Sequence, residues 1–248
     1  MSWLRDWRQT IGRCVLISTL TAIGAQPLAL SADDQPIPPE ASVSVDAGAI
    51  PTQPLTAQET LRGVTDRVLA VIDDARSYVD EDPEAYYEAV HEVLDPIVDF
   101  RGFARGVMGE YATGARYRTL DEAGRNTLRD QLDRFTETMR RGLVRTYSKG
   151  LLAFGGSRVI LADPDDGDVT ADRAMLRQLI YSDENQPYVV IYQLARDRDG
   201  LWRMRNLVVE NVNLGQIYRS QFESAARRYD GDLDKVIANW TAEADKGS

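Results

Sequence analysis

Thiol and imidazole are almost absent from this chain: 248 residues hold one cysteine, Cys14, and one histidine, His91. That leaves a zinc site of the usual nitrogen and sulfur ligands short of its set. A serine–histidine–aspartate triad would have to use His91, which lies mid-way along an amphipathic helical stretch. No Gly-x-Ser-x-Gly elbow is present, and Gly155-Gly156-Ser157-Arg158-Val159 is not one. A Walker loop and a dinucleotide fingerprint are missing too. There is no basic excess: 29 Lys and Arg against 39 Asp and Glu leave a formal charge of −10. Such a surface suits neither the phosphates of nucleic acid nor lasting residence on anionic lipid, and it keeps the chain soluble.

Long apolar runs are missing as well, with one exception. Arg5, Arg8 and Arg13 precede the mostly apolar run Cys14 to Leu30, and Ala29-Leu30-Ser31 offers small residues for cleavage. Residues 1–32 therefore read as a secretory signal peptide cleaved near Ser31 or Ala32. Gln26 and Pro27 interrupt the run, so it is no membrane span, and Ile11-Gly12-Arg13 before Cys14 is no lipobox. Cleavage removes the only cysteine, which excludes disulfides and thiol catalysis. It also removes three arginines and Asp6, taking the charge from −10 to −12.

What remains has a clear order. Residues 33–55 carry five of the ten prolines and few large apolar groups, the composition of a disordered leader. The folded domain is expected over 56–243. Thr56-Ala57-Gln58-Glu59 is a capping box ahead of Leu61, Val64, Val68, Val71, Ile72, Ala75 and Val79 at helical spacing. Asp82-Pro83 predicts a second helix start, with proline in the first turn, and Pro96 its limit. FRGFARGVM forms a third helix, capped by Asp99 and stopped by Gly109. Gly102, Gly106 and Gly109 weaken it by about 1 kcal/mol each relative to alanine, which points to close packing ahead of the alternative, a helix meant to move. Thr119-Leu120-Asp121-Glu122 reads as another capping box, opening a long helix with Leu128, Leu132, Phe135, Met139, Leu143 and Tyr147 on one stripe.

After Gly150 the pattern changes to strand runs separated by Asp- and Gly-rich turns, which predicts an antiparallel meander of four to five strands. VVIY and LVV are apolar on both phases, as in a sheet covered on both faces over part of its length. Helices over 215–229 and 232–243 close the chain. Helices first and then strands is α+β organisation.

No candidate for chemistry has a distinctive sequence setting in this layout, and a hydrolase using two carboxylates stays only as a rival reading. Asp163-Pro164-Asp165-Asp166-Gly167-Asp168 has the wrong acidic spacing for a calcium loop and is explained by a turn. Paired carboxylates would suit glycosidase-type work, but Asp121-Glu122 is explained by capping and Asp80-Glu81-Asp82 by a solvated helix end. The apolar helix faces and strand phases admit either a packed core or a cavity.

Three separated blocks carry a resemblance. VLDPIVDFRGFARGVMGEYATGA, RFTETMRRGLVRTYSKGLLAF and YQLARDRDGLWRMRNLVVENVNLGQIYRSQF, in that order, resemble the MlaC family, the match running over about residues 58–241. The chain departs from the family at Asn206, where Asp is usual, at Asn211-Val212-Asn213, where Gly-x-Ser is usual, and at Tyr111-Ala112, which lacks a common tryptophan. The resemblance implies a curved antiparallel sheet wrapped by helices around an internal apolar cavity. It implies a periplasmic, non-enzymatic carrier without cofactor or metal, which shuttles glycerophospholipid between outer and inner membranes. The implied partners are an inner-membrane MCE-domain ABC transporter and an outer-membrane lipoprotein complex, with only transient membrane contact. A hopanoid or other lipid, or a solid-core interaction module of similar fold, are the alternatives. Within the matched blocks, the candidate lipid-binding residues are Phe100, Phe103, Val107, Met108, Phe135, Met139, Leu143, Tyr147, Val190, Tyr192, Trp202, Val208 and Val212. The joint NVNLGQIYRSQF reads as structural: Val208 and Val209 end a buried strand, Asn211 and Asn213 suit a turn and cap, and nothing nearby in sequence is identifiable as a group for Tyr218-Arg219 to react with.

Overall fold

The computed structural model describes residues 55–152, 158–181 and 187–245; the expected signal peptide, and the leader up to residue 54, lie outside them. Helices come first: α1 Ala57–Ala75, α2 Pro83–Leu94, α3 Phe100–Met108, a 3-10 turn Gly109–Ala112, α4 Gly114–Thr119 and α5 Glu122–Leu152. Five strands follow, β1 Val159–Leu161, β2 Arg173–Ile180, β3 Tyr188–Arg196, β4 Trp202–Val209 and β5 Val212–Asn213. Two helices, α6 Leu214–Arg228 and α7 Leu233–Asp245, complete the order.

Each early helix starts where a short polar side chain can take up an orphan N–H. Thr56 and Glu59 form the reciprocal box, with Thr56 N donating to Glu59 Oε2 at 2.8 Å and Glu59 N to Thr56 Oγ1 at 3.2 Å. Asp82 accepts from Ala85 N, Asp99 from Gly102 N and Asn213 from Gln216 N. The box at Thr119 does not form. That residue is the last of α4, and its hydroxyl donates to Arg116 O at 2.7 Å. Asp121 takes over instead, accepting from Gly124 N at 2.8 Å. With the cap moved two residues on, the position that should carry a reciprocating carboxylate is Gly124.

The strands form one open antiparallel sheet in the order β1-β2-β3-β4-β5. A bulge between Gln193 and Leu194 shifts the β3–β4 register, a device that bends a strand and increases its twist. Glu210 and Asn211 both have positive φ, 48° and 67°, and join β4 to β5 through a two-residue turn of the kind that follows sheet twist. β2 alternates cleanly, with Ala174, Leu176 and Gln178 buried and Arg173, Met175 and Arg177 exposed. On the second face Leu179 pairs with Val189 and Ile191 with Val208, all half-buried, so that face is sheltered mainly by its own cross-strand neighbours.

Buried side chains gather in three groups. The largest joins α3, α5, α6 and α7, where Phe135 meets Phe222 at 4.9 Å between ring centroids and Trp240 at 5.2 Å, both near edge-to-face. A second ties α1, α2, α3 and α5 through Ile72, Tyr86, Val90, Phe100 and Val144. The third seats Ala57 and Leu61 of α1 on Ala174, Leu176, Leu194 and Trp202 of the sheet. Helix α5, 31 residues or about 46 Å long, belongs to the first group by its N-terminal half and to the second by its C-terminal half.

Candidate functional site

The helices do not close fully on the sheet. Between its inner face and α1, α2, α3 and α5 lies a cavity of about 270 Å³. Its wall is formed by Leu61, Val64, Val68 and Ile72 of α1, Val90 and Leu94 of α2, and Phe100 and Phe103 of α3. Leu143, Val144, Tyr147 and Leu151 of α5 continue it, and the sheet supplies Ile180, Tyr188, Val190, Tyr192, Leu207 and Val209. Leu69 also lines the cavity yet is 41 % exposed, so the space opens to solvent beside α1.

The helical spacing explains how one wall collects so many apolar groups. Leu61, Val64, Val68 and Ile72 recur every three or four residues and so share one side of α1. On β3, Tyr188, Val190 and Tyr192 alternate and share one face. Phe100 and Phe103 are placed by the Asp99 cap, which is itself held by an ion pair with Arg205 and by Asp99 N donating to Met204 O at 2.9 Å.

Polar atoms on the wall are few. Tyr192 Oη donates to Gln178 Oε1 at 2.8 Å, Gln178 Nε2 donates to Thr65 Oγ1 at 2.9 Å, and Thr65 Oγ1 donates to Leu61 O at 2.9 Å. Burial pushes the Tyr192 phenol far above its ordinary value, so it stays protonated and able to donate. Tyr86 is raised in the same way, chiefly by burial, and donates to Ser148 O at 2.9 Å. Ser148 itself is fully buried on the wall, and among the described residues its hydroxyl has no hydrogen-bond partner. A buried group left so costs about 1–3 kcal/mol.

Of the residues singled out from sequence, Phe100, Phe103, Leu143, Tyr147, Val190 and Tyr192 stand together on this wall. Val107, Met108, Phe135 and Met139 lie in the aromatic group. Trp202 lies where α1 meets the sheet, Val208 is half-buried opposite Ile191, and Val212 is half-buried in β5. Sequence reasoning passed over the α1 stripe as site-forming because it lies before the resembling blocks, although its periodicity is plain. Gln178 and Ser148 gave no signal, being isolated polar residues in otherwise ordinary elements.

Other candidates fall elsewhere. His91 lies against Arg140, with Glu88 and Asp95 at 3.5 and 3.4 Å, outside the wall formed by its neighbours Val90 and Leu94. Arg219 Nε donates to Glu223 Oε1 at 3.1 Å, and the Tyr218 ring meets Phe103 edge-on at 6.2 Å. That pair therefore joins α6 to α3. Among the described residues no group of three His, Cys, Asp or Glu could hold a metal ion, and no helix is long and apolar enough to cross a membrane.

Fold and site together define an α+β protein whose helices and open sheet frame an apolar pocket. The chain belongs to the MlaC family: the family model described as MlaC protein matches residues 62–242. It is similar to the toluene tolerance protein ttg2D of Pseudomonas putida, 28% identical over 193 residues that span 77% of this chain and 82% of that protein. It also shares its fold with a solved phospholipid-binding protein from Ralstonia solanacearum, in complex with a phospholipid. That match has a TM-score of 0.61 and 17% identity and covers 78% of this chain and 97% of the other.

Proposed function

We propose that this protein is a periplasmic lipid carrier. It encloses acyl chains of a glycerophospholipid in the cavity and moves the lipid between the outer and inner membranes for an ABC transport system. An outer-membrane lipoprotein complex and an inner-membrane MCE-domain transporter are its partners at the two ends. The observation that carries this reading is the cavity wall itself, which is hydrocarbon from four helices and the sheet with few polar atoms. The Ralstonia solanacearum relative with its phospholipid supports the choice of ligand, and the signal-like N-terminus supports the compartment.

The physics needs no bond-making residue. Each methylene exposed to water costs about 0.8 kcal/mol, so two acyl chains of about thirty methylenes would cost on the order of 20 kcal/mol in passage through water. A carrier removes that barrier by offering surroundings as apolar as the bilayer it replaces. The acidic exterior weakens residence on anionic lipid, which leaves delivery to protein docking.

Native mass spectrometry of the gently purified mature protein tests the reading, followed by identification of any released lipid. A bound mass equal to that of a diacyl phospholipid is expected. Empty protein that also takes nothing from phospholipid vesicles would overturn it, and a polycyclic lipid in place of the phospholipid would change the cargo assigned.

A further inference from the structure

The cavity wall carries polar groups that a purely greasy container does not need. The hydrogen bonds from Tyr192 to Gln178, Gln178 to Thr65 and Thr65 to Leu61 run in one direction. The Leu61 carbonyl only accepts, so it takes the single hydroxyl proton of Thr65. Thr65 must then accept from the Gln178 amide nitrogen, and the amide oxygen must accept from the tyrosine. That order orients the Gln178 amide and leaves over its second N–H, a donor on a residue that is 4 % exposed and lines the cavity.

A separate observation comes from the helical side. Ser148 of α5 is fully buried, lines the same cavity, and its hydroxyl has no partner among the described residues. Sheet and helix thus each bring to the cavity's lining a buried donor without a full set of partners, whereas Arg205 and Asn206 of the same lining are engaged by Asp99 and by Gln193, Asn213 and Gly215. Plain hydrocarbon would leave both unsatisfied, whereas a ligand with an oxygen acceptor on its enclosed part would engage them.

We infer that Gln178 and Ser148 determine specificity, receiving an oxygen acceptor on the enclosed part of the lipid. The acceptor is either the carbonyl of an ester-linked chain or a hydroxyl borne on the chain. The inference rests on the carrier reading above. Thr65 and Tyr192 are positioning residues, which aim the Gln178 amide.

The test offers the lipid-stripped protein vesicles of three phosphatidylglycerols: a diester, a diether of equal chain length, and a diether hydroxylated on its chains. Bound lipid is quantified by mass spectrometry. The diester is expected to exceed the plain diether by about 3- to 10-fold if the carbonyl is read, and the hydroxylated diether to do so if the hydroxyl is read. Gln178→Met and Ser148→Ala should each bring the preferred ratio towards one, which a merely structural role would not do. Should Gln178→Met fail to fold, Ser148→Ala decides alone. Equal uptake of all three lipids by the unaltered protein would overturn the inference and leave the carrier reading standing; uptake of none would overturn both.

Discussion

Asp234 shows how single side chains tie the outer helices to the core. Arg134 and Gln131 of α5 both donate to its carboxylate, the glutamine at 2.9 Å, and the arginine first and the glutamine second hold its pKa below the ordinary value. A depressed folded-state pKa contributes stability that is fully present above the unfolded value, about 4, and is lost as pH falls through the lowered one. Asp234→Asn should therefore lower the melting temperature at pH 7, and the difference should shrink as the pH falls below the ordinary carboxylate range. Melts across that range, repeated in high salt, check it. The side chain is 55% exposed, so the neutral-pH difference should stay below about 1 kcal/mol and shrink with salt. Tyr86→Phe is the buried counterpart. It removes the bond to Ser148 O and should cost about 1 kcal/mol, read as a lower urea midpoint at unchanged slope.

At the scale of elements, α3 separates two kinds of glycine. A Cβ on Gly106 would meet nothing within 4 Å, whereas one on Gly109 would sit 2.9 Å from Arg219 Nε on a backbone with φ +55°. Gly106→Ala should stabilise by about 0.5–1 kcal/mol and Gly109→Ala should destabilise by more than about 1 kcal/mol; chemical denaturation of both settles the contrast. Close packing, expected for Gly102, Gly106 and the capping Gly109, thus applies to Gly109 and to Gly102, where a Cβ would sit 3.0 Å from Arg205 Nη1, and not to Gly106. Most element boundaries were legible because their signals are local: Thr56, Asp82, Asp99 and Asn213 each cap the helix that follows. α4 and β5 were not, since six and two residues are too short to show a period. The unseen α4 is also why the cap of α5 moved from Thr119 to Asp121.

For the whole molecule, the division between solid core and cavity is the part that sequence could not reveal. Phe135 and Leu143 lie on one stripe of one helix, eight residues apart, yet one is locked among aromatic rings and the other, packed at the edge of that group, also borders the cavity. Apolar periodicity reports that a face is turned from water and says nothing about what fills the other side. The division predicts two different phenotypes. Phe135→Ala should cost about 3–5 kcal/mol in stability, seen in denaturant titration, because it hollows the packed region. Val190→Trp should instead fill the existing space, keep the melting temperature, and reduce lipid captured from vesicles, measured as bound lipid per protein.

Phe135, Phe222 and Trp240 interlock without touching the cavity. The packing of these three rings therefore does not depend on what fills the cavity, which reaches them only through Phe103 and Leu143 at its border.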